Sequence, residues 1–259
     1  MRRPKKSGAL SLWMNNQRVG TWAVTAQGEH VFHYDNAWLA SPLGRPISLS
    51  MPLRPATAPY KGEAVRNYFE NLLPDNDNIR QRLAKRFSTG TEAFRLLAEI
   101  GRDCVGALQI MPEAENPPSN EAIQFELLST EQVAEHLAGT LTTPAFTQTD
   151  DTFRISIAGA QEKTALLWYK ENWCRPLGTT PTTHIFKLPM GQMPGGIDLS
   201  TSVENEWLCH TLLQAFEIPV AKAEIVQFGE MKALCVERFD RRWTANGRLV
   251  RLPQEDFAQ

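Results

Sequence analysis

The stretch that most constrains the fold is Phe153 to Leu167, FRISIAGAQEKTALL. Phe153, Ile155 and Ile157 alternate with Arg154 and Ser156, the period of two expected of a half-buried strand. Ala158-Gly159-Ala160 then offers a turn with almost no side chain in its way, and Thr164 to Leu167 opens a second apolar run. The spacing predicts a strand, a tight loop and a second strand. Successive backbone N–H groups in such a loop can converge on an anion, although an ordinary hairpin with a small-residue turn fits the same residues. Downstream, Thr182 to Leu188 (TTHIFKL) is a β-rich run carrying one lysine, Lys187, among apolar neighbours. Taking a lysine out of water is costly unless something anionic meets it.

A small-residue hairpin followed by a strand lysine is the order in which a protein-kinase-like lobe presents its ATP contacts, although the glycine spacing here is not GxGxxG. The composition leaves that reading open. A chain of 259 residues has length for one or two domains and a substantial core. With 42% hydrophobic and 22% charged residues it reads as an ordinary globular chain. The net charge of −2 argues against a global basic field for nucleic acid. Arg2, Arg3, Lys5 and Lys6 precede no apolar run long enough for a signal peptide or a membrane span, so no membrane association is expected. Cys104, Cys174, Cys209 and Cys235 show no CxxC spacing, which fits a reduced, cytoplasmic protein. The histidines do not cluster with them, so no metal site is expected.

In order, Ala9 to Tyr34 reads as two or three short strands with turns at Asn15-Asn16-Gln17 and Gln27-Gly28. Trp38 to Pro42 reads as the start of a loop and Ile47 to Met51 as another alternating strand. From Lys61 the period becomes helical: one helix ends at Pro74, a second covers Asp75 to Phe87, and a third covers Thr91 to Ile100 with Gly101 as its C′ glycine. Arg80, Arg82, Lys85 and Arg86 give the second a basic surface, either a partner face or a solvated one. Cys104 to Met111 reads as a strand, and Pro112 to Asn120 as a linker. Ile123 to Leu128 suggests a short strand, and Thr130 caps a helix over Glu131 to Leu137. Ser202 to Phe216 is a helix with Val203, Trp207, Leu208, Leu212 and Phe216 on one broad face, capped by Ser200 or Ser202. Ala223 to Phe228 and Lys232 to Val236 read as paired strands, and Leu249 to Leu252 as a last short one. The expected class is α+β. A small β-rich subdomain with helices spans 1–115, a linker with a short helix 116–149, and a second unit 150–259.

SIAGAQEKTALL, PTTHIFKLP, SVENEW and VERFDRR, in this order, resemble the HipA family of serine/threonine kinase toxins from bacterial toxin–antitoxin pairs. SLSMPLRP, YFENLLPDN and EIGRDCVGALQIMP are similar to the family's N-terminal region. The resemblance implies that 150–259 is the N-lobe of a PI3/4-kinase-like fold using ATP and Mg²⁺. It makes Ala158, Gly159, Ala160, Gln161, Glu162 and Lys163 the nucleotide loop and Lys187 the phosphate lysine. Glu206, with Glu204 as its rival, becomes the helix carboxylate orienting that lysine, and Glu237, Arg238 and Phe239 the hinge facing adenine. A surface ion pair is the plain alternative for Glu237 and Arg238. Ser156 matches the serine the family phosphorylates on itself, a modification that would add charge beside a phosphate loop. The implied partners are a HipB-type helix-turn-helix antitoxin, operator DNA through that antitoxin, and a protein substrate of the aminoacyl-tRNA synthetase class. No Asp-x-x-x-x-Asn element follows Phe239, and in this family the catalytic aspartate and Mg²⁺ ligands lie in a helical C-lobe absent from these residues. The expectation is therefore the first three-fifths of a HipA protein, inactive alone. The alternative is a non-catalytic module that binds the antitoxin or a separate kinase lobe.

Overall fold

Alternating apolar residues and a two-asparagine turn build the first hairpin. The computed structural model describes residues 8–115, 123–141, 156–159, 161–193 and 195–256. In it β1 (Ala9–Met14) pairs antiparallel with β2 (Gln17–Val24). Asn15 and Asn16 turn between them at φ of 45° and 70°, a left-handed conformation that asparagine tolerates better than most residues. β3 (His30–Tyr34) follows, then α1 (Asn36–Ala40), β4 (Tyr60–Lys61), α2 (Glu63–Glu70), α3 (Asp77–Arg86), α4 (Ala93–Ile100) and β5 (Leu108–Pro112). The strands form one antiparallel sheet in the order β4-β3-β2-β1-β5. Its core gathers Trp22, Phe32, Phe69, Leu96, Leu97 and Ile100, all fully buried. The Trp22 and Phe69 rings stack with centroids 3.7 Å apart, and each such large apolar side chain contributes about 1.5–3 kcal/mol by leaving water.

Four local expectations in this half are corrected. Trp38 to Pro42 does not simply begin a loop: Asn36–Ala40 is helical, and buried Trp38 donates its indole N–H to the Arg45 carbonyl at 2.9 Å. Ile47 to Met51 alternates in sequence but not in burial: Ile47, Ser48 and Met51 are inside while Leu49 is 89% exposed, and the segment is no strand. The Tyr34 hydroxyl takes its place between them, accepting from Ile47 N at 3.0 Å and donating to Met51 O at 2.6 Å. Gly101 has φ of −75°, outside the left-handed region expected of a C′ glycine. It is glycine because an added Cβ would lie 2.5 Å from Leu97 O and 2.7 Å from Ile110 Cβ. Cys104 to Ala107 turns before β5 begins at Leu108.

The second half holds β6 (Phe125–Leu127), α5 (Thr130–Leu141), β7 (Lys163–Tyr169), β8 (Asn172–Pro176), β9 (His184–Lys187), β10 (Gly191–Met193), β11 (Ile197–Leu199), α6 (Ser202–Ala215), β12 (Ala223–Phe228), β13 (Met231–Glu237), β14 (Arg241–Trp243) and β15 (Leu249–Arg251). Six of these strands make an antiparallel sheet ordered β12-β13-β9-β7-β8-β6. The paired strands expected over Ala223 to Val236, and a strand from Thr164 to Tyr169, are present. The strand expected over Phe153 to Ile157 lies mostly outside the described residues; the described pair, Ser156 and Ile157, belongs to no strand.

The short strand and helix expected within 116–149 are present as β6 and α5, and both join the second half. β6 extends its sheet, and Val133 and Leu137 of α5 pack with Leu166, Phe186, Leu188 and Ala233. Ser129, not Thr130, caps α5: Ser129 N donates to Gln132 Oε1 at 2.8 Å while Gln132 N donates to Ser129 Oγ at 3.3 Å, a reciprocal capping box. Helix α6 departs furthest from expectation. Its N-cap is Thr201 without a side-chain cap bond, and Ser202 Oγ instead accepts from Met190 N at 3.0 Å. Only Val203 of α6 is buried; Trp207, Leu208, Leu212, Leu213 and the following Phe216 are exposed. The apolar residues ring the helix instead of forming a stripe, and such a helix ordinarily sits inside a core.

Candidate nucleotide site

Lys187 and Lys163 stand directly opposite each other on β9 and β7. Two like charges so placed repel, so an arrangement that holds them needs acid nearby. Glu206, in the early part of α6, forms an ion pair with Lys187 Nζ. Glu204, its rival, pairs with Lys232 of β13 instead. A helix places residues two apart on different sides, and that separates the two carboxylates. His210, one turn on, has Nε2 3.8 Å from the same Glu206 oxygen and Nδ1 3.3 Å from Ala221 O.

Lys163 Nζ donates to the Ala158 carbonyl and closes the loop 158–163 upon itself. Burial and the neighbouring Lys187 bring the Lys163 ammonium down to about 8, with Asp75 and Glu206 opposing. Gly159 sits at φ +106°, and a Cβ there would lie 2.5 Å from Lys163 Nζ. The positive φ is what favours glycine here, since the lysine tip could move aside. Gln161 Nε2 donates to Leu188 O at 2.7 Å, Leu188 N donates to Glu162 O at 3.1 Å, and the Glu162 carboxylate pairs with Arg82 of α3. Ala160 lies outside the described residues. The basic face of α3 is thus partly neutralised, since Arg80 also pairs with Glu70 at 2.6 Å.

The segment Glu237 to Phe239 leaves the end of β13. Glu237 N donates to Lys222 O and Arg238 N to Thr183 O, both at 2.8 Å. Glu237 faces Lys222 across 3.4 Å at the surface, and Phe239 is 68% exposed. Arg238 is neither a surface residue nor turned toward a ligand, which removes its side chain from the surface-ion-pair alternative. Its guanidinium is buried among Asp240 Oδ1 and Oδ2 (2.9 and 2.7 Å), Thr182 Oγ1 (2.9 Å), Cys104 O (2.9 Å) and Asp103 Oδ2 (3.4 Å). Lys187 pairs with Leu234 of β13, three residues before Glu237, so lysine and hinge stand about 10 Å apart along one strand.

Ser156 is fully buried; its hydroxyl donates to Leu72 O at 2.5 Å and its N–H to Asp103 O at 3.1 Å. Asp103 is the residue that sequence reasoning missed. Its Oδ1 accepts from Arg241 at 2.9 Å and Arg251 at 3.1 Å, and its Oδ2 accepts from Thr182 N at 3.0 Å and Oγ1 at 2.7 Å. Burial alone would raise its carboxyl, but Arg241, Arg251, Arg238 and the Thr182 hydroxyl together hold it well below the usual carboxylate range. No local spacing announces this cluster, because its members lie 79 to 148 residues from Asp103.

Two family models match the chain: the HipA N-terminal domain over residues 10–111 and the HipA-like C-terminal domain over residues 155–259. The chain belongs to the HipA family. Similar proteins include a putative kinase of Sinorhizobium fredii, Y4mE, 31% identical over an alignment of 265 positions that takes in 96% of this chain and 58% of that protein. The serine/threonine-protein kinase toxin HipA of Shewanella oneidensis is 28% identical over 92% of this chain and 51% of its own length. A solved complex of Shewanella oneidensis HipA with HipB and operator DNA holds a chain that this fold matches with a TM-score of 0.68. That match has 28% identity and covers 93% of this chain and 53% of that one. The chain therefore spans little more than half the length of these HipA relatives. Among its described residues no helix is long and apolar enough to cross a membrane.

Proposed function

We propose that this chain forms the nucleotide-holding part of a HipA-type serine/threonine protein kinase toxin, in which ATP phosphorylates a protein of the aminoacyl-tRNA synthetase class. The observation that carries the reading is the Lys187–Glu206 pair lying beside a loop closed by Lys163. A lysine so fixed is a point cation already aimed at a phosphate, and phosphoryl transfer depends on such positioning more than on covalent chemistry by the protein. In this reading Lys187 and Lys163 neutralise phosphate oxygens, the Ala158–Lys163 loop covers them, and Glu237 to Phe239 border the adenine. Lodging an anion between them would relieve the repulsion of two facing lysines. Among the described residues no group of three His, Cys, Asp or Glu could hold a metal, so any Mg²⁺ would be held chiefly by the nucleotide's phosphates. The partner is a HipB-type antitoxin, as in the Shewanella complex, and with a net charge of −2 operator DNA is gripped through that partner.

The test is incubation of the purified chain with Mg-ATP followed by mass spectrometry of Ser156. The expected result is an unmodified serine, because the hydroxyl is buried against Leu72 O. Stoichiometric phosphate on Ser156 without an added kinase overturns this account.

A further inference from the structure

We propose that Asp103, a residue of the N-terminal subdomain, is a positioning residue of the nucleotide site, fixing the loop, the lysine strand and the hinge relative to one another. This rests on the nucleotide reading above. Four segments of the second half meet at this one residue. Its main-chain carbonyl accepts from Ser156 N at 3.1 Å, two residues before the loop. Its Oδ2 takes both the N–H and the hydroxyl of Thr182, two residues before the strand that carries Lys187. Arg238, within the hinge, shares Thr182 Oγ1 and Asp103 Oδ2. Arg241 and Arg251, from β14 and β15, share Oδ1.

The arrangement has the character of a fixed joint. Asp103, Arg238, Arg241 and Arg251 are all buried. An ion network out of water is held to one geometry, because any displaced member leaves a bare buried charge. Thr182 N and Arg238 N carry the constraint onward through the backbone, since Arg238 N donates to Thr183 O at 2.8 Å. Asp240, the remaining acid, is bonded to Arg238 and to Gly106 N at 2.7 Å, so both ends of the joint are anchored in the first subdomain. Movement of the first subdomain would therefore change the distance between the loop and the hinge. Asp103 touches no ligand in this scheme and acts through Thr182, Arg238 and Ser156.

The experiment compares Asp103→Asn and the milder Thr182→Val with Val65→Ala, a core change in the first subdomain that takes no part in the Asp103 hydrogen-bond network. Two readouts are taken where all the variants are fully folded: amide hydrogen exchange, and affinity for a non-hydrolysable ATP analogue. The inference expects exchange at 156–163 and 237–239 to quicken at least tenfold in Asp103→Asn, and severalfold in Thr182→Val. Analogue affinity should fall at least tenfold, and Val65→Ala should leave both readouts unchanged despite a lower melting temperature. Should Asp103→Asn fail to fold, Thr182→Val decides the matter alone. Native exchange and affinity in the joint variants, or equal changes in Val65→Ala, overturn the proposal. A wild-type chain that binds no analogue sinks the nucleotide reading instead, and the exchange data still report whether Asp103 couples the two segments.

Discussion

Glu204 and Glu206 are two residues apart, yet only one of them serves Lys187. That division gives a direct prediction. Lys187→Ala and Glu206→Gln should each weaken nucleotide binding at least tenfold, about 1.4 kcal/mol. Glu204→Gln breaks only a half-exposed surface pair and should stay within about 0.5 kcal/mol of the parent; isothermal titration with an ATP analogue checks both. Lys163 yields a second expectation. Its folded-state value of about 8 lies below the ordinary 10.5, so between those pH values the unfolded chain binds more protons and stability rises with pH. Denaturation midpoints measured across that range should climb in the parent, and the climb should vanish in Lys163→Met. Lys187 and Gly159 stand out in the sequence because a lysine in an apolar strand and a glycine in a small-residue turn are costly without a purpose. The sequence could not choose between Glu204 and Glu206, since that choice depends on how α6 is rolled over the sheet.

Among the elements, the periodic ones were legible and the junctions were not. The strands β1 to β3, the helices α2 to α4 and the pair β12–β13 follow from period and punctuation alone. The Ile47–Met51 segment misled because its alternation is genuine while its hydrogen bonds go to a tyrosine hydroxyl and not to a neighbouring strand. The strand and helix expected over Ile123 to Leu137 are present as β6 and α5, but their membership of the second half was not legible, because the sheet edge and apolar face that receive them lie elsewhere in the chain. The joint at Asp103 was illegible for a related reason: its partners are distant in sequence and each looks like an ordinary surface charge. Its energetics make a third prediction. Asp103 and Asp240 both hold their carboxyls below the ordinary range, arginine contacts outweighing burial. The folded state thus binds fewer protons, and this stability is complete above the unfolded carboxylate value of about 4 and is lost as pH falls below it. Urea midpoints should drop steeply below that pH, with a shallower slope in Asp103→Asn. Removing one member of such a network costs about 3–5 kcal/mol.

The described molecule has two main antiparallel sheets with their helices, one from each half, and two small two-stranded sheets in the second half, the halves being joined through buried charge. Its least settled surface is α6, where Trp207, Leu208, Leu212 and Phe216 face solvent. Contiguous apolar exposure of this kind promotes association and dye binding. Phe216→Ser, at a site 75% exposed, should lower binding of a hydrophobic dye and reduce aggregation in light scattering. The melting temperature should move little, since the substitution is worth less than about 0.5 kcal/mol of stability. The joint also imposes an order on assembly. Asp103 cannot meet its full set of arginines until Arg251 exists, 148 residues later, and at 5–20 residues per second the two leave the ribosome's active centre roughly 7–30 s apart. Over that interval the first sheet can close, but the carboxylate that the later arginines will enclose stands in water. Asn15 awaits Arg251, and Ser48 and Leu49 await Glu255. Until Arg251 emerges the joint that sets the nucleotide loop against the hinge is incomplete, so the pace of translation bears on when the site reaches its final register.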